Sequence, residues 1–174
     1  MRGEVNVYGL VLTGPEQPVL AGSRVVLRGL VRAGSELVAL ETLGGAGGER
    51  RARPLADGSL SFALALRGPA SFRARAAGVA SPTVRVRVTP RVALRWTAGR
   101  LVVAAEPARP GARVAIQVYD RERFAWDTVT RTRLDRQSRA RVSVRGLPGA
   151  HVRAVLRGGR GWADGASRAI VVAF

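Results

Sequence analysis

The 174-residue chain carries 29 cationic side chains, all of them arginine, against 12 acids, which gives a net charge of +17. It contains no cysteine, which excludes disulfides, a thiolate nucleophile and cysteine-ligated metal. No apolar run reaches the roughly 18 residues of a membrane-spanning helix, and the N-terminus lacks a signal-peptide pattern. A hydrophobic content of 47% argues against disorder.

The charge has two interpretations. A positive field of this size favours an anionic polymer as partner: nucleic acid, an acidic glycan, a wall polymer or a membrane surface. The alternative is a GC-rich genome in which arginine fills every cationic position on ordinary solvated faces. Composition alone leaves both open.

Apolar and polar residues alternate with a period of two along most of the chain. In Val84–Val88 the valines share one face, and Arg85 and Arg87 share the other. This period, bounded by Gly, Pro and Asp, predicts half-buried strands, and no segment shows a helical stripe. The predicted strands are 4–12, 23–31, 36–42, 50–56, 59–67, 70–77 and 82–88, then 91–96, 100–106, 112–119, 126–133, 138–145, 150–157 and 167–173.

The second half repeats the first at offsets that grow from 76 to 86 residues along the chain. The equivalent residues include Val38 and Val114, Leu64 and Val142, Phe72 and Val152, and Ser81 and Ser167. The offset grows only across Gly- or Arg-rich stretches typical of loops. The repeat predicts an all-β chain of two tandem immunoglobulin-like or fibronectin-type antiparallel sandwiches, 1–89 and 90–174. The short link at Thr89-Pro90 would hold them as a semi-rigid pair. Strand order stays open.

Four short motifs carry a resemblance to a known family. They are Val25-x-Leu27-x-Gly29, Asp57-Gly58-Ser59-x-Ser61-Phe62, Phe72-Arg73-Ala74 and Ser81-Pro82-x-Val84. The chain resembles the tandem immunoglobulin-like arms of actinobacterial cell-envelope proteins, which accompany L,D-transpeptidase or polysaccharide deacetylase domains. The resemblance implies a non-catalytic spacer or wall-contact module. The transpeptidase cysteine and the deacetylase metal ligands are missing from this sequence.

No catalytic constellation emerges, and neither a metal site nor a cofactor is predicted. His151 is the single histidine, and no nucleophile-elbow motif accompanies it. Asp57 and Asp135 precede strands, where they are expected to accept turn hydrogen bonds. The glycines of 44–48 lack the Lys and Ser/Thr of a phosphate-binding loop, so a flexible hairpin tip is expected there. An enzyme is therefore not predicted.

Two insertions distinguish the second copy. The first combines Tyr119, Phe124 and Trp126 with Arg121 and Arg123, a mixture suited to stacking on sugar rings or bases beside an anion. The alternative is that these aromatics pack on their own sandwich, because alternation would place Phe124 and Trp126 on one face.

The second insertion, 157–165, contains Trp162. It connects the sixth and seventh strands at the end where the chain enters the domain. Trp162 is therefore expected at the contact between the two domains, with a ligand platform as the alternative.

Alternation also predicts solvent-facing rows of arginine as candidate contacts to an anionic polymer or glycan. Those in the strands are Arg73, Arg75, Arg85 and Arg87 in the first copy, and Arg139, Arg141 and Arg153 in the second. The favoured function is a non-catalytic spacer, adhesion or wall-associated module of an extracellular or cell-surface assembly. The alternative is an anionic-polymer binder, including a virion or filament component.

Overall fold

A computed structural model describes residues 9–32, 37–44, 48–143 and 146–173. The chain divides into two compact units between Arg87 and Val88, close to the Thr89-Pro90 link. The described residues form strands and turns, with no helix among them. Accordingly, that part of the chain contains no helix long and apolar enough to cross a membrane.

The first unit contains nine strands in the described ranges. These are β1 Leu10–Thr13, β2 Val19–Leu20, β3 Arg24–Val31, β4 Val38–Leu43, β5 Arg50–Ala52, β6 Ser59–Ala65, β7 Ala70–Ala76, β8 Val79–Ala80 and β9 Val84–Val86. One sheet has the order β1-β3-β6. The other has the order β5-β4-β7, with β8 and β9 both paired to β7.

The second unit has the same arrangement. Its strands are β10 Val88–Thr89, β11 Arg91–Thr97, β12 Arg100–Glu106, β13 Arg113–Asp120, β14 Ala125–Arg133, β15 Arg139–Val142, β16 His151–Leu156, β17 Gly165–Ala166 and β18 Ile170–Val171. The three-stranded sheet is β11-β12-β15. The facing sheet is β14-β13-β16, with β17 and β18 on β16.

This topology supplies the strand order that the sequence left open. In each unit the fourth principal strand, β5 or β14, pairs with the third strand, β4 or β13. It thus belongs to the sheet of the third and sixth strands, whereas constant-type immunoglobulin domains place it in the opposite sheet. The predicted all-β, antiparallel sandwich class is confirmed.

The strand registers confirm the tandem repeat. Leu40 pairs with Ala74 in the first unit, and Ile116 pairs with Ala154 in the second. A buried serine is repeated as well. The Ser81 hydroxyl accepts a 3.0 Å hydrogen bond from the backbone N–H of Ala74, and Ser167 accepts one of 2.9 Å from Ala154.

The core of each unit lies between its two sheets. In β6, Leu60, Phe62 and Leu64 are buried, while the residues between them face outward. In the second unit Leu101 and Val103 of β12 pack with Ile116, Val152 and other apolar residues. Period-two alternation therefore separates an inner face that holds the fold from an outer face that is free for contacts.

Several predicted strands are shorter than expected. The predicted strand 50–56 ends at Ala52, shortly before Pro54, which has no N–H for the sheet. The predicted strand 82–88 begins at Val84 and is interrupted at Arg87, and the predicted strand 167–173 is reduced to Ile170–Val171. The first part of strand 4–12 and most of the expected glycine tip at 44–48 lie outside the described residues.

Candidate anion-binding face

The second unit carries arginines on the outer face of its sheet β11-β12-β15. Arg95 lies opposite Val102, and Val102 lies opposite Arg141 on the next strand. One pair further along the same face, Ala104 lies opposite Arg139. Sheet pairing therefore brings side chains from three strands onto one surface.

These residues surround an open groove of about 810 Å³. Small side chains give it a shallow floor, and longer cationic chains form its walls. We call it the basic groove; its floor is Ala93, Val102 and Ala104, its walls are Arg95, Arg100, Arg139 and Arg141, and Thr97 and Ala98 lie at one end.

No acid lines the basic groove. Its four arginine residues are exposed or outward-facing, and within the described part of the chain no carboxylate forms an ion pair with any of them. Like charges brought together on neighbouring strands repel, and an anion relieves that repulsion. The face therefore presents uncompensated positive charge at short range.

Only part of this groove is evident from the sequence. Arg139 and Arg141 are candidates from their alternation in the predicted strand, and both face outward as predicted. Arg95 and Arg100 were missed. Alternation could have indicated that Arg95 faces outward, because it lies between the inward-facing Leu94 and Trp96. Its position on the same face as Arg141 depends on strand pairings between residues remote in sequence.

The candidate arginines of the first unit are in a different electrostatic setting. Glu41 accepts contacts from Arg73 at 3.0 Å and from Arg75 at 2.9 Å. Arg73 is half-buried, and so is Arg153 in the second unit, so the expectation that the strand arginines lie free in solvent is wrong for these two side chains. Arg85 and Arg87 are exposed, as predicted. A single carboxylate thus partly neutralises the first unit's row.

The described β3-β6 face of the first unit has no equivalent of the four arginines of the basic groove. On its β3-β6 face, Val26 is paired with Ala63 and Arg28 with Ser61. Small neutral residues therefore stand where β15 has arginines, and Val26 is 44% exposed. The four-arginine arrangement belongs to the second unit.

A second cluster lies on the outer face of sheet β14-β13-β16. Tyr119 and Trp126 are paired across β13 and β14, with ring centroids 5.2 Å apart. The Arg153 guanidinium lies over the Trp126 ring, 4.2 Å from its centroid, in a cation–π contact. Arg153 also donates to Gln117, whose amide reaches Thr128 at 3.4 Å. Tyr119, Arg121, Trp126 and His151 line a small cavity of about 280 Å³ here.

The tip of this hairpin corrects one expectation. Phe124 does not share a face with Trp126, because it occupies the turn with a positive φ of 50° and is 82% exposed. Asp120 shapes the turn by accepting backbone hydrogen bonds from Glu122 and Arg123. The Arg123 side chain pairs with Asp127 at 3.0 Å, while Arg121 is exposed. The sequence pattern fails here because alternation stops at the turn.

Trp162 is half-buried within the second unit. It forms an isolated bridge with Val88, and the carbonyl of Val88 accepts a hydrogen bond from the Ala163 N–H. Arg109 covers its ring, with the guanidinium 4.5 Å from the ring centroid. The expected position of Trp162 at a contact between the two domains stays a prediction.

The expected turn hydrogen bonds of the aspartates are confirmed. Asp57 accepts from the Ser59 N–H at 2.9 Å, and Asp135 accepts from the N–H groups of Gln137 and Arg139. Hydrogen bonds from the Ser59 side chain and amide hold the pKa of Asp57 below its usual value. These carboxylates therefore shape hairpins.

Among the described residues no three His, Cys, Asp or Glu side chains form a metal-binding group.

Comparisons with known proteins give structural likenesses only. No family model matches the sequence, and no curated protein is similar to it. A tetra-tandem repeat from the extending region of a large adhesion protein is similar over 94% of this chain, with 15% identity and a TM-score of 0.39; the chain spans about half, 48%, of that structure. The human OSCAR ligand-binding domain is similar over 95% of this chain and 100% of its own, with 12% identity and a TM-score of 0.38. The D0-D1 domain of intimin is similar over 94% and 97%, with 9% identity and a TM-score of 0.35.

Proposed function

We propose that this chain is a non-catalytic binding module that attaches to an anionic polymer through the basic groove of its second unit. The supporting observation is the convergence of four arginines from three strands around a floor with no acid. Its proposed setting is a cell surface or extracellular assembly, where such attachment provides adhesion. The implied association with actinobacterial envelope enzymes stays a prediction.

The basic groove is suited to recognising the charged groups of a polymer backbone. Its floor consists of Ala93, Val102 and Ala104, and none of the lining residues is aromatic. A polymer with stacked bases would be held by aromatic platforms as well as cations. Guanidinium groups on an aliphatic floor instead match the regularly spaced phosphates, sulfates or carboxylates of a backbone.

The open shape of the groove favours a chain over a compact ligand. Arg139 and Arg141 are two residues apart on one strand, so their Cα atoms are separated by about 7 Å along the face. Arg95 lies two strands away from Arg141, about 10 Å across it. Successive charges of a polymer can therefore contact different arginines without a closed pocket.

The test is retention and affinity as a function of salt. Heparin, a DNA duplex and a poly(glycerol phosphate) serve as sulfated, phosphodiester and wall-type probes. Replacing all four groove arginines by glutamine should weaken binding and reduce the slope of log K against log salt by about 1 for each lost phosphate contact.

A charge-matched control separates the groove from net charge. Arg24, Arg28, Arg53 and Arg67 are exposed in the first unit, and changing these four to glutamine removes the same charge. We expect the control to retain a steeper salt dependence than the groove variant. Equal losses in the two variants would contradict a localised site, and weak retention of the unmodified chain at low salt would favour a spacer.

A further inference from the structure

The second unit contains another basic cavity at one end of its sandwich. It lies between the loop that follows β12 and the loop that follows β16, and its volume is about 660 Å³. We call it the end pocket. Its lining residues include Arg109, Arg113, Arg133, Arg157, Arg160 and Trp162, together with several glycines and alanines.

Arg109 lines the end pocket beside Trp162. Its guanidinium lies over the Trp162 ring, with Cζ 4.5 Å from the ring centroid. Its Nη1 is shielded from solvent and has no hydrogen-bond partner among the described residues. Its backbone is fixed by a 2.6 Å hydrogen bond from the Arg109 N–H to Ser138 Oγ.

This setting leaves a cation poorly compensated. A polar N–H removed from water without an acceptor costs free energy, and the cost is greater when the group is charged. Burial accordingly lowers the pKa of Arg109 from its usual value. The rest of the Arg109 side chain is half-exposed and lines the cavity, so an anion held there would compensate the charge of the guanidinium group.

The pocket rim is fixed by an acid that does not line the cavity. Asp164 pairs with Arg157 at 2.7 Å and also accepts a 2.7 Å hydrogen bond from the Gly158 N–H. Gly158 is required there, because a Cβ at this position would overlap the carbonyl oxygen of Trp162. Arg113 and Arg160 are exposed and form no ion pair with a described acid.

We propose that the end pocket binds a single tetrahedral oxyanion, a phosphate or sulfate ester group, with Arg109 as its anchor. Several guanidinium groups around one cavity match a group with multiple charged oxygens better than a single carboxylate. A volume of about 660 Å³ is within the range of small-molecule sites, so there is room for the organic part of the ester. This site is separate from the basic groove. Oxyanion binding in the end pocket therefore does not depend on the proposed polymer binding.

The experiment uses the full chain with 5-fluorotryptophan at its three tryptophans. A Trp162→Phe variant assigns the fluorine resonance of Trp162. Sodium phosphate, sulfate and acetate are titrated separately, with sodium chloride keeping the ionic strength constant. We expect a saturable shift of the Trp162 resonance with phosphate or sulfate, and a response to acetate at least about tenfold weaker.

Variants place the anion within the pocket. Arg109→Ala should weaken phosphate or sulfate binding at least about tenfold, as expected when one charge-assisted hydrogen-bonding group is lost. Arg160→Ala and Arg113→Ala change exposed side chains and should each weaken it about threefold or more. The double variant Arg95→Gln/Arg141→Gln, in the basic groove, should leave the Trp162 titration unchanged.

The outcomes are distinct. Saturation by phosphate only identifies a phosphate ester site, and saturation by sulfate only identifies a sulfate ester site. A Trp162 shift that follows chloride or acetate equally well would overturn the proposal. So would equal affinities for the unmodified chain and for both Arg109→Ala and Arg160→Ala.

Discussion

Arg153 donates a 2.8 Å hydrogen bond from Nε to Oε1 of Gln117, its partner on the neighbouring strand. The first unit has Arg73 and Glu41 at the corresponding pair, joined by a 3.0 Å ion pair. The geometry is retained while the acid becomes an amide. Arg153 therefore keeps a hydrogen bond to this position but pairs with no described carboxylate, and its guanidinium lies over the Trp126 ring.

The acid and the amide at this pair can be exchanged by mutation in each unit. Gln117→Glu should pair the introduced carboxylate with Arg153, stabilise the second unit by no more than about 1 kcal/mol, and lower the salt concentration of elution from heparin. Glu41→Gln should raise that concentration, because it releases both Arg73 and Arg75. Gln17→Glu, at an exposed position, is the charge-matched control for the first change. An identical shift for Gln17→Glu and Gln117→Glu would show that Arg153 has no particular role.

The basic groove should be transferable to the first unit. Ser61 and Ala63 are exposed on β6, on the same face as Arg24 and Arg28. The double variant Ser61→Arg/Ala63→Arg should increase polymer affinity and steepen the salt dependence by about 1 for each new phosphate contact. Adding two arginines at the exposed positions Gln17 and Leu55 controls for charge. If that control gains as much affinity, clustering on the sheet contributes nothing.

The repeated serine should be a stability determinant. Ser167→Ala leaves the N–H of Ala154 without its buried acceptor, so the second unit should lose about 1–3 kcal/mol of unfolding free energy. Urea unfolding followed by tryptophan fluorescence measures this directly, because all three tryptophans lie in the second unit. Ser143→Ala, at an exposed position, should be within about 0.5 kcal/mol of the unmodified chain. A fluorescence midpoint unchanged by Ser167→Ala would refute this role.

The rim of the end pocket should respond to acid. The Gly158 N–H is the main cause of the lowered pKa of Asp164, and Arg157 adds to it. A carboxylate with a depressed folded-state pKa contributes stability above its unfolded value, and this contribution is lost as the pH falls through the lower folded value. The loop 157–164 should therefore stay ordered at neutral pH and loosen only below pH 3.8.

Amide chemical shifts test this loop. The Gly158 N–H resonance should move with a midpoint below pH 3.8, and Asp164→Asn should produce an acid-like position already at pH 7. The N–H resonances of Ser59 and Gln137, bonded to other aspartates, serve as internal references in the variant. A Gly158 resonance that titrates above pH 3.8 would contradict the assigned hydrogen bond.

The sequence predicts the sandwiches well because their signal is local. Alternation in β6 or β12 identifies the inward residues without knowledge of the partner strand, and the repeat offsets supply equivalent strands. The strand order depends on pairings remote in sequence, so Arg95 could not be connected to Arg141. Phe124 illustrates the other limit: a positive φ in a turn redirects a side chain that alternation would place beside Trp126.

Along β12 and β15, alternation also assigns core packing and surface contacts to two independent sets of positions. The buried positions are Leu101, Val103, Ala140 and Val142. The side chains between them lie on the outer face and do not pack in the core. A copy of this sandwich can thus acquire or lose a ligand by changing every second residue on one sheet, with the strands still in register. Binding specificity on such a scaffold depends on its outer-face residues, and these residues differ between the two units of this chain.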